Sequence, residues 1–332
     1  MLILALESSC DETSAAVVSM SGTARKVLSN IVASQIEVHR KYGGVVPEIA
    51  GRAQIEAVSG RTHEALDTAG AGLRDIDAVA VTNSPGLIGA LLVGMNFAKS
   101  LSFAQGIPLV PVDHVRAHAA AAYLEHPGLK PPFTALVVSG GHTCFYNVRD
   151  YTDWEYVSGT RDDAAGEAFD KVGRVLGCPY PAGAEMDRLA SYGDPDLVQL
   201  PSPALRDSRD LSFSGLKTAC LNYINGMRQK GAEPDRSGVS ASLTKAICGG
   251  LTEKARECLD FTGARSLVLA GGVAANSHLR RSMREMCEKA GIGFFVPSVP
   301  LCGDNAAMVG AQGYYEFMSG VRAGTDLNAH AD

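Results

Sequence analysis

The chain has 332 residues, a formal net charge of −6, and 46% hydrophobic against 20% charged residues. At roughly 150 residues per domain, that length provides for about two domains, each with its own core. The composition excludes disordered, collagen-like and disulfide-scaffold proteins, and the negative charge disfavours a freestanding cationic nucleic-acid binder.

No segment approaches the roughly 18 unbroken apolar residues of a membrane span; Gly86 to Ala98, about 13 long, reads as a buried helix. Met1 to Glu7 has no basic n-region and runs straight into polar residues, so it does not read as a signal peptide. The 8 cysteines are scattered without a CxxC pair, which opposes a zinc ribbon or disulfide framework and fits a reducing cytoplasm.

In chain order, apolar Leu2 to Leu6 predicts a strand, Glu7-Ser-Ser-Cys-Asp-Glu-Thr13 a polar loop, and Ala15 to Ser19 a second strand, with room for a third in the first thirty residues. The unit recurs near the middle: Phe133 to Val138, the small polar loop Ser139-Gly-Gly-His-Thr143, then Cys144 to Val148. Between them the pattern alternates as helix Pro47 to Asp67, strand Ala78 to Thr82, helix Ile88 to Ala104, strand Leu109 to Val112 and helix Val115 to Leu124. Helices are predicted near Ala164 to Leu176, Gly183 to Tyr192, Gly215 to Met227 and Val239 to Leu259. A strand at Leu267 to Ala270, a helix from Ala275, a strand at Gly293 to Val296 and a closing helix from Asn305 follow. Such alternation implies α/β domains with largely parallel sheets and hairpins at one edge. The repeated opening suggests two duplicated lobes whose polar loops face a cleft. The expected lobes are residues 1–130, with the closing helix 305–320 packing back on them, and residues 131–304, with a helical insertion over about 163–260. The Pro-, Ser-, Arg- and Asp-rich stretch Asp194 to Ser214 reads as a surface linker or a substrate-facing loop.

His114-Val-Arg-Ala-His118 places two imidazoles four residues apart, on one helical face. A shared helix surface explains the pair equally well when taken alone. Asp113, however, can cap the helix and put His114 at the carboxyl end of a strand, where open α/β sheets bind ligands. A third ligand is available in Asp304 of Cys302-Gly-Asp-Asn305, unless that carboxylate is merely a helix cap. Two histidines and a carboxylate suit Fe(II) or Zn(II). A zinc protease needs a glutamate after the first histidine, and position 115 is Val.

Ser139-Gly140-Gly141 and Ala270-Gly271-Gly272-Val-Ala-Ala-Asn276 each follow an apolar strand, where glycines let backbone N–H groups approach an anion. The second also opens a helix, whose N-terminus favours a phosphate, and Asn276 could bond a polar edge. Tight packing turns would explain either loop singly; having both favours nucleotide binding. GxGxxG, the P-loop and GxSxG are absent. In Asp162-Asp163-Ala-Ala-Gly166-Glu167-Ala-Phe-Asp170-Lys171, Asp163, Glu167 and Asp170 share a face if the segment is helical. That is either a solvated face or a site for a hydroxyl-bearing group. Tyr180-Pro-Ala-Gly183 and Asp187 follow closely enough to line the same pocket.

Glu7-Ser-Ser-Cys-Asp-Glu-Thr13, Gly43-Gly-Val-Val-Pro-Glu48, Pro85-Gly-Leu-Ile-Gly89, His114-x-x-x-His118, Val138-Ser-Gly-Gly-His-Thr143, Asp163-Ala-Ala-Gly-Glu-Ala-Phe-Asp-Lys171, Phe213-Ser-Gly-Leu-Lys217 and Ala270-Gly-Gly-Val-Ala-Ala-Asn276 occur in one order. That series resembles the TsaD (Kae, Gcp) family over nearly the whole chain. The resemblance implies an α/β, actin-like ATPase (ASKHA) fold of two duplicated lobes around a central cleft. It implies transfer of threonylcarbamoyl from threonylcarbamoyl-AMP to the N6 amine of the adenosine just 3′ of the anticodon, in tRNAs reading ANN codons. By family motif, His114, His118 and Asp304 match the ligands of a divalent metal, Fe(II) before Zn(II). Val137, Val138, Ser139, Gly140, Gly141, Asp170, Gly183, Asp187 and Asn276 match substrate-binding positions. At Tyr180-Pro-Ala-Gly-Ala184 relatives commonly have Tyr-Pro-Gly-Gly-Pro, but Gly183 is kept. The implied partners are tRNA, a TsaB-like paralogous subunit and a TsaE-like small ATPase, with no membrane.

The net charge of −6 leaves tRNA binding to local basic groups (His39-Arg40-Lys41, Arg206, Arg209, Arg280, Arg281, Arg284, Lys289) or to partners. Asp11 and Glu12 are candidates for tRNA-side or metal-side roles. The other readings are a non-catalytic nucleotide-binding scaffold, which an intact His/His/Asp set opposes, and a metalloprotease, which Val115 opposes.

Overall fold

The computed structural model describes residues 1–22 and 24–331, divided into two compact units, Met1–Lys130 with Pro297–Asp332, and Pro131–Val296. The first unit opens with β1 (Leu2–Glu7), β2 (Glu12–Met20) and β3 (Arg25–Ser34). It continues through α1 (Ile36–Arg40), α2 (Pro47–Ala69), β4 (Ala78–Ser84), α3 (Ile88–Gln105), β5 (Leu109–Asp113) and α4 (His114–Glu125). Its sheet has the order β3-β2-β1-β4-β5, with β1 antiparallel to β2 and parallel to β4.

Side chains alternate across each strand. Leu4, Leu6, Val17, Val79 and Val81 form one buried layer with Leu66 of α2 and Leu91 and Met95 of α3. The opposite face sets the small side chains of Ala5 and Ala80 beside Val18 and Val112.

The second unit contains β6 (Phe133–Val138), β7 (Thr143–Val148), β8 (Trp154–Gly159), α5 (Ala165–Val175), α6 (Gly183–Ala190), α7 (Ser214–Gln229), α8 (Arg236–Thr262), β9 (Ser266–Ala270), α9 (Ser277–Ala290) and β10 (Gly293–Phe295). Its sheet order is β10-β9-β6-β7-β8, with β6 antiparallel to β7 and parallel to β9. Among the described residues each of the ten strands has a counterpart: β6, β7, β8, β9 and β10 repeat the pairing of β1, β2, β3, β4 and β5. The strand-loop-strand repeat in the sequence is therefore a repeat of topology.

The chain closes with α10 (Ala306–Met318), which belongs to the first unit and packs on β1, β2, β4 and β5 and against α4. Close approach needs glycine here. A Cβ on Gly310 would lie 2.6 Å from Val18 Cγ2, and one on Gly313 would lie 2.5 Å from Ala80 Cβ. The small-residue face of the sheet thus seats α10 flush, while the larger aliphatic face holds α2 and α3.

Candidate functional site

His114 is the first residue of α4 and His118 lies one turn later. Asp113 caps the helix, its side chain accepting a 2.9 Å hydrogen bond from the Arg116 amide. Both histidines are buried, with ring centroids 4.6 Å apart. Asp304 joins them from the segment before α10: its Oδ1 lies 3.2 Å from His118 Nε2 and 3.7 Å from His114 Nε2. Asn305, rather than Asp304, caps α10, accepting from the Met308 amide. One ligand atom from each of the three residues falls within a 4.8 Å span, a grouping able to hold a metal ion.

The donor set fits a cation on two counts. His118 is 1% exposed, yet neither ring nitrogen makes a hydrogen bond, the approach of Asp304 being off hydrogen-bond geometry. A buried, unsatisfied imidazole is costly unless something binds it. The surroundings are also anionic. Burial, Asp304 and Asp11 push the Glu12 carboxyl up to about 9. Burial works against the charged form of His114, but Asp304 and Glu7 outweigh it and push the imidazole up to about 9. The pocket therefore favours positive charge, which a bound cation supplies as readily as a proton.

Behind His114, its Nδ1 lies 3.2 Å from both Glu7 Oε2 and Ser9 Oγ. Glu7, 1% exposed, ends β1 and does not belong to the polar loop that the sequence predicts there. Gln54 of α2 fixes the loop that follows, donating to the Cys10 and Glu12 carbonyls at 3.0 and 2.8 Å and accepting from Thr13 Oγ1 at 2.6 Å. The sequence offered little signal for either role. Glu7 reads as the first residue of a polar loop, and Gln54 is one polar residue in a long helix.

The second unit gathers the expected substrate positions. Val137 and Val138 lie buried in β6, and Val138 leads into the turn at Ser139. Ser139 Oγ accepts from the Gly141 and His142 amides at 3.3 and 3.0 Å, leaving Gly140 and Gly141 exposed at the tip. The N-terminus of α5 abuts this turn: the Gly166 amide donates to the Ser139 carbonyl at 3.2 Å and the Ala165 amide to Thr143 Oγ1 at 3.0 Å. Gly271 closes the other side. Its φ of +91° lies in the region that favours glycine, and a Cβ there would collide with the Val138 carbonyl. Helix α9 begins just beyond, with Asn276 Oδ1 accepting from the Leu279 amide at 2.9 Å.

The carboxylates of this unit are engaged by the chain itself. Asp170 Oδ1 accepts from the Ala182 amide at 2.7 Å, orienting the turn that carries Gly183. Asp187 contacts Ser277 and His278 at the start of α9. Asp163 precedes α5 and so does not share a helical face with Glu167 and Asp170; it pairs with Lys171 at 3.2 Å and Lys217 at 2.6 Å. Asp162 caps α7 from outside, with Oδ1 accepting from the Phe213 and Ser214 amides at 2.7 and 3.2 Å.

The model of the family described as "TsaD: tRNA N6-adenosine threonylcarbamoyltransferase" matches residues 26–311. The chain belongs to the TsaD family. A tRNA N6-adenosine threonylcarbamoyltransferase of Clostridium botulinum (strain 657, type Ba4) is 49% identical over 328 residues, 98% of this chain and 96% of the relative. One of Clostridium perfringens (strain SM101, type A) is 49% identical over 329 residues, covering 99% and 96%. As a member of the TsaD family the chain is a transferase acting in tRNA modification.

Among solved structures, full-length HypF in its phosphate- and nucleotide-bound form aligns with a TM-score of 0.63 at 16% identity, covering 96% of this chain and 46% of that one. The Acidaminococcus fermentans (R)-2-hydroxyglutaryl-CoA dehydratase component A aligns at 0.53 and 14% identity, covering 94% and 95%. These likenesses, with the duplicated sheets, establish the actin-like ATPase (ASKHA) fold.

Proposed function

We propose that this TsaD-family chain transfers threonylcarbamoyl from threonylcarbamoyl-AMP to the N6 amine of the adenosine 3′ of the anticodon in tRNAs reading ANN codons, releasing AMP. The observation that carries the reading is a buried His118 ring without a hydrogen bond, beside His114 and Asp304, in a chain of this family. The donor is a mixed anhydride with a good leaving group, so the protein's work is positioning and charge stabilisation. The amine nitrogen bonds the carbamoyl carbon, the bond from that carbon to the phosphate oxygen breaks, AMP leaves with the electron pair, and the amine gives up one proton to solvent.

In this reading the exposed Gly140-Gly141 turn lets the phosphate approach the backbone and the positive end of α5, whose first two amides are already bonded to Thr143 and Ser139. Gly272, Asn276, Gly183, Asp170 and Asp187 shape the adenylate end. His114, His118 and Asp304 hold a divalent metal, Fe(II) in preference to Zn(II), which when bound supplies Lewis-acid polarisation of the oxygen it takes as ligand. Partnership with a TsaB-like subunit and a TsaE-like ATPase, and a cytoplasmic location, belong to the same proposal. No helix among the described residues is long and apolar enough to cross a membrane.

The test is transfer of labelled threonylcarbamoyl from its adenylate to an ANN-decoding tRNA transcript, with partner proteins present and metal content assayed. Wild type transfers, and His114→Ala loses metal and transfer together. Normal transfer by His114→Ala sinks the metal-centred reading, and no transfer by wild type moves a non-catalytic scaffold ahead.

A further inference from the structure

Glu7 stands on the Nδ1 side of His114 and is not one of the three residues whose ligand atoms converge. Its carboxylate accepts from a donor on each oxygen: Ser9 donates to Oε1 through its amide, and Thr82 Oγ1 donates to Oε2 at 2.6 Å. The same Oε2 lies 3.2 Å from His114 Nδ1. A carboxylate stabilised by two donors is an acceptor, so Nδ1 carries the hydrogen and donates. In the neutral ring Nε2 then keeps its lone pair, and it lies 3.7 Å from Asp304 Oδ1. His118, one turn on, has no such partner on either nitrogen. Only one of the two candidate histidine ligands is thus held from behind.

We infer that Glu7 is a positioning residue for the metal centre, fixing the tautomer and rotation of His114 so that Nε2 is presented as a ligand, with Thr82 and the Ser9 amide fixing Glu7 in turn. The inference rests on His114, His118 and Asp304 being the metal site. Carboxylate partners of ligating histidines do this in many metal sites, and their loss weakens metal binding by about 10–100-fold. Ser9 Oγ, also 3.2 Å from Nδ1, can follow either tautomer because a hydroxyl both donates and accepts, so it does not decide the matter.

The conservative variant Glu7→Gln discriminates. The Ser9 amide keeps the Gln carbonyl oxygen on its own side, which puts the amide NH2 where Oε2 was. That NH2 donates to Nδ1 and drives the ring proton to Nε2. Side-chain volume is unchanged, so a purely packing role for Glu7 predicts no effect on the ring.

Two measurements read this without activity. The first is the imidazole nitrogen spectrum of metal-free, 15N-histidine-labelled protein, recorded well above pH 9 so that the ring is neutral, with the His114 signals identified by their loss in His114→Gln. The expected result is an Nδ1–H ring in wild type and an Nε2–H ring in Glu7→Gln. The second is titration with Co(II), followed by its d–d absorption, where Glu7→Gln should bind about 10–100-fold more weakly than wild type. An Nε2–H ring in wild type, or equal Co(II) affinity in the two proteins, overturns the inference. Wild type that binds no Co(II) overturns both this inference and the metal reading beneath it, a result distinct from equal affinity. If Glu7→Gln does not accumulate as folded protein, the wild-type tautomer decides alone.

Discussion

Both carboxylate oxygens of Asp187 lie 3.1 Å from the Ser277 amide nitrogen, so a side chain on α6 closes the N-terminus of α9. Ser277 Oγ donates to the same carboxylate at 3.1 Å, and His278 Nδ1 lies 2.9 Å from it. A carboxylate at that end of a helix satisfies orphan donors and meets the positive end of the helix dipole. Asp187→Ala should therefore cost about 1–2 kcal/mol of stability as well as any substrate contact. Thermal unfolding of the variant without ligand checks this. An unchanged melting temperature would leave Asp187 with only its ligand role.

The centre formed by His114, His118 and Asp304 makes a prediction about stability. A ligand that binds only the folded state stabilises it by about 2.7 kcal/mol at a free concentration one hundred times its Kd. Adding Fe(II) anaerobically, or Zn(II), to metal-free protein should raise its melting temperature. His118→Ala should remove that rise while costing the metal-free protein only a cavity, since the ring makes no hydrogen bond to lose. Calorimetry with and without metal separates the two effects.

Gly271→Ala should destabilise the second unit by on the order of 1–3 kcal/mol, because alanine resists the φ of +91° and its Cβ meets the Val138 carbonyl. The displaced Val138 carries the Ser139 turn with it, so affinity for AMP should fall too. Equilibrium titration with AMP, run beside denaturant unfolding, checks both.

Asp162 gives a pH dependence whose sign can be worked out. Burial raises its pKa, but hydrogen bonds from Ser212, the Phe213 amide and Ser214 outweigh it and hold the carboxyl below the usual range. A lowered folded value means stability that is complete above the unfolded value, about 3.9, and lost as pH falls through the folded one. The anchor of α7 should be complete at pH 5, weaken as pH falls below about 3.9, and be lost once pH passes the lowered folded value. Asp162→Asn should be less stable than wild type at pH 7, and the difference should shrink over that same acid range. Denaturant midpoints across that range are the check.

Much of this was legible in the residues. The period-two runs and helical stretches located most elements, and Asp113, read as a cap on α4, is one. Helix α1 and strand β8 went unread, the first because five residues cannot show a helical period, the second because its half-exposed Trp154-Glu-Tyr-Val alternates weakly. The grouping of His114, His118 and Asp304 could be proposed from motif and spacing, but Glu7 and Thr82 could not. Their link is a contact 75 residues apart in sequence that only the parallel pairing of β1 with β4 creates. The carboxylates show the same limit: nothing in Asp162-Asp163 announces that one caps α7 while the other binds two lysines.

The flush seating of α10 has a further consequence. Asp304 and its neighbour Asn305 sit at the start of a helix whose height above the sheet is set by Gly310 and Gly313, which meet Val18, Ala5 and Ala80. Any side chain at either glycine wedges the helix outward, and the wedge acts as a lever on the residues just ahead of its first turn. The spacing between a carboxylate and two imidazoles is thus gauged by a contact several residues down the helix, so a change that looks like ordinary core packing would register as a change at the candidate metal ligands.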